Sequence, residues 1–224
     1  MDLSYARGLF IRTKNLKGLE IIFVGSKETH RQIQSLKFSK EQTIQYLELE
    51  THSRGEKFQK GFLQATGALV LFHHPRSKLP RANYQTLLEI SETFTGWGAF
   101  TLHFSKRKNL FLKLVAAYSN FVRLQFFQIS YLDHCIFSSR TLLERIQIPR
   151  DSIFEDTILC RNLRALQKPK LLALPSFTSP VRFEKKGMLR QFFLNQFVKI
   201  LFFLGVETQK IYSIYERSLW LNRK

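Results

Sequence analysis

The sequence predicts an α/β fold in one domain, with a largely parallel central sheet. Three observations carry that reading. Short apolar runs alternate with amphipathic stretches through the first half of the chain, the pattern that gives strands covered by helices. The run "ALVLFHH" is too apolar throughout to be a half-exposed strand, so it belongs in the middle of a sheet. The 224 residues, 44% of them hydrophobic, suffice for one core, and neither an internal repeat nor a long Gly/Ser linker divides them. Residues 19–183 form the expected α/β core, and 184–224 supply C-terminal helices.

"LEIIFVG" (Leu19 to Gly25) is β-branched and apolar and reads as a buried strand. "QYLELE" alternates and reads as a second strand. In "SRGEKFQKGFLQATG", Ser53 and Glu56 have the spacing of a capping box. Phe58, Phe62 and Ala65 then share one helical face, and Gly67 is expected to stop the helix in a left-handed turn. After the "ALVLF" strand, "RANYQTLLEISETF" reads as a helix. "GAFTLHFSK" alternates strictly, with Phe100, Leu102 and Phe104 on one face and Thr101 and His103 on a wetter one. "NLFLKLVAAYSNFVRLQFF" is a long apolar helix, "LDHCIFSS" a short strand and "SRTLLERI" a short helix. Ser152 and Glu155 offer a second capping box for the helix "EDTILCRNLRALQK". "KLLAL" is the last strand. Two C-terminal helices follow.

Charge narrows the partners. Lys plus Arg total 35 against 17 Asp plus Glu, a formal charge of +18. Such a surface attracts nucleic acid, anionic lipid headgroups or phosphorylated small molecules. Basic charge interleaved with aromatics is one footprint of nucleic-acid binding. Phe at helical spacing is more often core, and no nucleic-acid module is visible, so nucleic acid is not the expected partner. "MLRQFFLNQFVKILFFLG" mixes Phe and Leu with Arg and Lys as an interfacial helix does, or it is an ordinary core helix. No run reaches the about 20 apolar residues of a spanning helix, and the N-terminal stretch lacks an apolar signal core. Two cysteines, Cys135 and Cys160, make no disulfide framework and sit among apolar neighbours. The expected compartment is the reducing cytoplasm, including the inner membrane surface.

The ordered set "SRGEKFQKGFLQATGALVLFHHPRSKLP", "GWGAF", "LDHCIFSSRTLLERI" and "FEDTILCRNLRALQKPKLLALPSFTSPVRFEKKGMLR" resembles the family 2 glycosyltransferases. The nearest pattern is their short selenodomain-associated transferase 2 branch, over about Leu19 to Tyr215. The resemblance implies a GT-A fold and inverting transfer of a sugar from a nucleotide-diphosphate donor to an acceptor hydroxyl. It places Arg54 and Gln59 on the donor side, and Asp133 at the Asp of the family's Gly-Asp-Gln. Glu155 and Asp156 match its Glu-Asp pair, where the Asp is the base. Arg182, with Lys185 and Lys186, matches a basic stretch that holds diphosphate. A carboxylate at a helix N-terminus is favoured in its ionised form, though Glu155 and Asp156 would also serve merely to cap that helix.

Two departures stand out. The family's metal-binding Asp, in "His-Ala-Asp", falls on Arg76, and Arg cannot ligate the divalent cation, Mg or Mn, usual in the family. Arg76 either replaces the cation's charge on the leaving diphosphate or marks a site without chemistry, in a degenerate member acting as a membrane- or partner-binding module. The family's opening strand and its "Pro-Thr-x-Asn-Glu" loop have no match, and "GLFIRTKN" is the one remnant candidate. His73 and His74 are adjacent, so on a strand they face opposite sides and do not readily share one metal ion. Asp133-His134 has no positioned Ser or Cys nucleophile beside it and reads as chance.

Overall fold

The structure, a computed structural model, describes residues 3–34, 43–105 and 109–220. In chain order the elements are α1 (Leu3–Thr13), β1 (Glu20–Gly25), α2 (Lys27–Gln34), β2 (Thr43–Glu48), α3 (Arg54–Gln64), β3 (Leu69–Phe72), β4 (Ser77–Lys78), α4 (Arg81–Ile90) and β5 (Trp97–Phe104). There follow α5 (Leu110–Ala117), which runs on as a π-helical segment Tyr118–Phe126, a 3-10 turn Leu132–His134, β6 (Ile136–Ser139) and α6 (Arg140–Leu143). The chain goes on through α7 (Glu155–Leu166), β7 (Lys170–Thr178), α8 (Val181–Lys186), α9 (Met188–Phe203) and α10 (Thr208–Trp220).

The fold is α/β, as the alternation predicts, but the sheet is not largely parallel. β1 and β2 pair in parallel as a two-stranded sheet, and the other five strands stand in the order β3-β6-β5-β7-β4. Only β5 and β7 are parallel in that second sheet; β6 lies antiparallel to both β3 and β5, and β4 antiparallel to β7. Hydrophobic pattern marks a strand without fixing its direction, which is why the parallel expectation fails here.

β5 is central, and its burial follows the expected alternation: Phe100, Leu102 and Phe104 are buried, while His103 is exposed. Gly98 is needed where β5 meets β7, because a side chain there would overlap the Lys170 carbonyl oxygen and the Phe137 ring. One core, on the α1 and α4 side, joins Tyr5, Leu9, Ile21, Phe23, Tyr84 and Phe137. A second, on the α3 and α7 side, joins Phe72, Trp97, Ile136, Leu142, Leu159 and Leu163. Phe58 and Phe62 of α3 pack against it, as the helical spacing predicts, and Cys160 lies within it. Cys135 is fully buried in the first core.

Four local expectations are corrected. "ALVLF" is not a mid-sheet strand, since β3 stands at the end of its sheet, antiparallel to β6, with Leu69, Val70 and Leu71 half-buried. "GLFIRTKN" is not a strand remnant, since Gly8 to Thr13 belong to α1, whose Tyr5, Ala6 and Leu9 are buried. Gly67 does not stop α3; the helix ends at Ala65 in extended geometry, its N–H shared between the Gly61 and Phe62 carbonyls. Ser53 does cap α3, accepting from the Glu56 N–H, but the Glu56 carboxylate turns to the Thr51 hydroxyl instead of closing the box.

Candidate functional site

β3 delivers the "HHPR" turn, and its two histidines part. His73 turns toward α1 and α4, with the Tyr5 hydroxyl 2.6 Å from Nδ1 and the Tyr84 hydroxyl 3.0 Å from Nε2. His74 turns the other way, its Nδ1 accepting from the Arg76 N–H at 3.1 Å and lying 3.9 Å from the Asp133 carboxylate. Asp133 is held from both ends. Its carboxylate accepts from the Thr178 hydroxyl at 3.0 Å, and its carbonyl accepts from the Ser176 hydroxyl at 2.6 Å. Burial opposes the charge, but His74, Arg76 and the Thr178 hydroxyl outweigh it and hold the carboxyl below its ordinary range.

The second part of the site is the start of α7. Phe154, not Ser152, precedes the helix, in a left-handed conformation at φ 62° and without a side-chain cap. The Ser152–Glu155 capping box is therefore absent. Glu155 instead turns inward and is fully buried, where it meets Arg54 at the start of α3: Nε lies 2.8 Å from Oε1, and Nη2 donates to Oε2 at 3.2 Å. α3 can approach that closely because residue 55 is Gly; any side chain there would overlap the Pro149 carbonyl oxygen. The Gly55 N–H and Ser53 hydroxyl both donate to the Asp151 carbonyl, at 3.2 and 3.0 Å, pinning the two helix starts together.

Asp156 sits beside this pair. Its Oδ2 accepts from the Leu132 N–H at 3.2 Å and its Oδ1 from the Thr157 N–H at 2.7 Å. Burial raises both carboxyls, and Asp156 raises Glu155 further; Arg54 opposes both shifts without cancelling them. Burial likewise works against the Arg54 charge, but Glu155, Asp156 and Asp133 outweigh it. A carboxylate whose pKa has moved toward neutrality is a stronger proton acceptor than an exposed one.

The fold thus gathers Arg54, Arg76, Asp133, Glu155 and Asp156 into one electrostatic neighbourhood. Gln59 shares no hydrogen bond with it; five residues beyond Arg54, it lies about 140° further round the helix. Arg182 is on α8, and its side chain falls outside the described residues, as do those of Lys185 and Lys186.

Two cations near the site escape the sequence reading. Arg123, from the π-helical segment, lies 3.5 Å over the Tyr131 ring, and Lys199 of α9 lies 5.6 Å from that ring. Burial and the Arg123 charge bring Lys199 down to about 8, against the pull of Asp156. The available signal was polar residues at helical spacing in otherwise apolar runs: Ser119 and Arg123, then Gln191, Asn195 and Lys199. His134, paired with Asp133 in sequence, is instead buried between the Ser119 hydroxyl at 2.9 Å and the Phe100 carbonyl at 2.9 Å.

A divalent cation does not fit this arrangement. At the position where the resemblance led to the expectation of a cation ligand stands Arg76, whose guanidinium acts on Asp133, and among the described residues no group of three His, Cys, Asp or Glu able to hold a metal occurs. A polar cleft of about 530 Å³ adjoins the site, lined by Ser53, Glu56, Arg150, Asp151, Thr208 and Tyr212 among others. No protein-family model and no curated protein sequence matches the chain.

Proposed function

We propose that the chain is a glycosyltransferase-like protein on a GT-A-like fold, moving a sugar from a nucleotide-diphosphate donor to an acceptor hydroxyl. One observation carries this reading. Four separate stretches, at Arg54, Arg76, Asp133 and Glu155-Asp156, meet at one place with cations and carboxylates interleaved. Asp156 is the base. It takes the acceptor proton as that oxygen attacks the anomeric carbon, and the bond from that carbon to the diphosphate oxygen breaks with its electron pair leaving on the diphosphate. Attack from the opposite face inverts the anomeric centre. Arg76, Arg54 and, from its place in the sequence, Arg182 meet the developing negative charge, which is where preorganised cations contribute most.

A second reading has its own support. Arg54 is already ion-paired to a fully buried Glu155, and Asp156 is only 7% exposed. Both facts suit a degenerate member that keeps the architecture and binds a partner or membrane. One experiment separates the two. Thermal unfolding is followed with UDP- and GDP-sugars, in chelator or in Mn²⁺, and release of the nucleoside diphosphate is assayed in parallel. Stabilisation without metal, lost in Arg76→Ala, together with turnover lost in Asp156→Asn, supports the transferase. Absence of any response to every nucleotide sugar sinks it.

A further inference from the structure

Helices α5 and α9 each bury a narrow apolar seam, Leu112 and Ala116 on α5 and Leu194, Val198 and Phe202 on α9, and leave a second apolar stripe facing out. On α9, Gln191, Asn195 and Lys199 fall at i, i+4 and i+8. Gln191 is buried and donates to Asn195 at 2.7 Å, while Lys199 reaches the Tyr131 ring. The opposite side presents Leu189, Phe193, Phe197, Ile200, Phe203 and Leu204, the last two 73% and 74% exposed. α5 buries Leu112 and Ala116, and its π-helical continuation buries Leu124 together with two polar side chains. Ser119 and Asn120 are buried, Asn120 bonding both the N–H and the carbonyl of Leu102. Leu110, Leu114, Tyr118, Phe121 and Phe126 face out, Phe126 at 79%. The helices touch, with the Phe111 and Phe192 rings 6.0 Å apart and the Asn109 amide 3.2 Å from the Met188 sulfur.

The two sequence stretches that carry this face hold charge of one sign. Between Glu92 and Asp133 the sequence holds no acidic residue and five Lys or Arg; between Glu184 and Glu207 it holds none and four. Lys113 and Arg190, one on each helix, are exposed. Exposed apolar faces of this extent mark a surface that something covers. A second copy is disfavoured, because a two-fold interface would set stretches whose charges are all cationic against themselves. No helix among the described residues is long and apolar enough to cross a membrane, so the face suits lying on one.

We propose that α5, its π-helical continuation and α9 form a platform that docks on an anionic bilayer. The Phe and Leu side chains enter the acyl boundary, and Lys113 and Arg190 meet the headgroup phosphates. The inference rests on these two helices alone and stands or falls independently of sugar transfer. Its test is flotation of the full chain with phosphatidylcholine vesicles, pure or one-third phosphatidylglycerol. The wild type should float with the anionic vesicles and less with the neutral ones. The pair Phe193→Gln and Phe197→Gln should weaken that binding by about tenfold or more, while Leu63→Gln, an exposed apolar residue on α3, should leave it unchanged, with circular dichroism confirming that each variant is folded. A folded wild type that floats with neither vesicle would overturn the proposal. So would a dimer in size-exclusion chromatography that the Phe193 and Phe197 substitutions dissociate, which would assign the face to a second copy.

Discussion

His73 and His74 are chain neighbours whose side chains part at the end of β3, and the two sides they enter are built on different principles. On the His73 side the polar groups of the hydrogen-bonded chain are neutral, and a single cation, the Arg12 guanidinium, lies beside them and bonds the Tyr84 hydroxyl. Burial brings His73 down to about 4 and pushes the Tyr5 and Tyr84 hydroxyls up, so this chain of hydrogen bonds carries no charge near neutral pH. On the His74 side, two buried carboxyls, Glu155 and Asp156, and a half-exposed one, Asp133, are set against the half-exposed cations Arg54 and Arg76. The neutral chain costs little desolvation once its hydrogen bonds are made. The charged side carries the desolvation cost of two buried carboxyls, which apolar packing often avoids, and that makes it the candidate functional site of the molecule.

The comparison breaks most visibly at Arg54. Arg54→Ala leaves Glu155 fully buried without its cation. The expected loss is about 3 kcal/mol, at the lower end for a buried pair because Arg54 is 37% exposed and partly screened. Denaturant unfolding reads it, and Arg54→Ala combined with Glu155→Gln should recover much of the loss. Equal losses in the single and double variants would show that the guanidinium acts through packing alone. On the His73 side Tyr84→Phe removes one hydroxyl that faces His73 Nε2 and Arg12. The expected cost is about 1–2 kcal/mol, the usual penalty for an orphaned buried polar atom, and it should not vary between pH 6 and pH 8.

The two sides also differ in their response to pH. Glu155 and Asp156 have raised pKa values, Glu155 to about 8. From the ordinary carboxylate range up to about that pH, the folded chain binds protons that the unfolded chain has released. Each step of rising pH across that window therefore removes stability. Asp133, whose pKa is lowered, acts oppositely, and its contribution is lost only as pH falls below the ordinary carboxylate range. Glu155→Gln should flatten the decline in melting temperature between pH 5 and pH 8. An unchanged slope would mean that the pair is not what titrates.

How much of this was legible follows the same divide. Apolar runs and alternation located β1, β3 and β5, and helical spacing placed Phe58 and Phe62 on the buried face of α3. Strand direction was not legible, because β6 reads the same whichever way it runs. The inward turn of Glu155 was hidden as well. Its spacing from Ser152 suggests a cap, and only the left-handed Phe154 and the approach allowed by Gly55 redirect it to Arg54. Arg123 and Lys199 were visible as cations in apolar helices, each with a second cation, Lys113 or Arg190, on the same run, but periodicity tells that a helix has two faces without telling which one is inside.

The smallest expected effect tests that last point. If the Phe193 stripe of α9 faced inward, Phe193→Gln would empty a core position and cost about 3–5 kcal/mol. With Phe193 65% exposed, the substitution should shift unfolding free energy by less than about 0.5 kcal/mol in water. Phe100→Gln on β5, where the ring is fully buried, should by contrast abolish a folded baseline. A large loss at Phe193 in isolated, monomeric protein would place that ring in the core and remove the basis for an outward apolar face. A negligible one leaves Gln191, Leu194, Val198 and Phe202 as the side of α9 that holds it to the rest of the molecule.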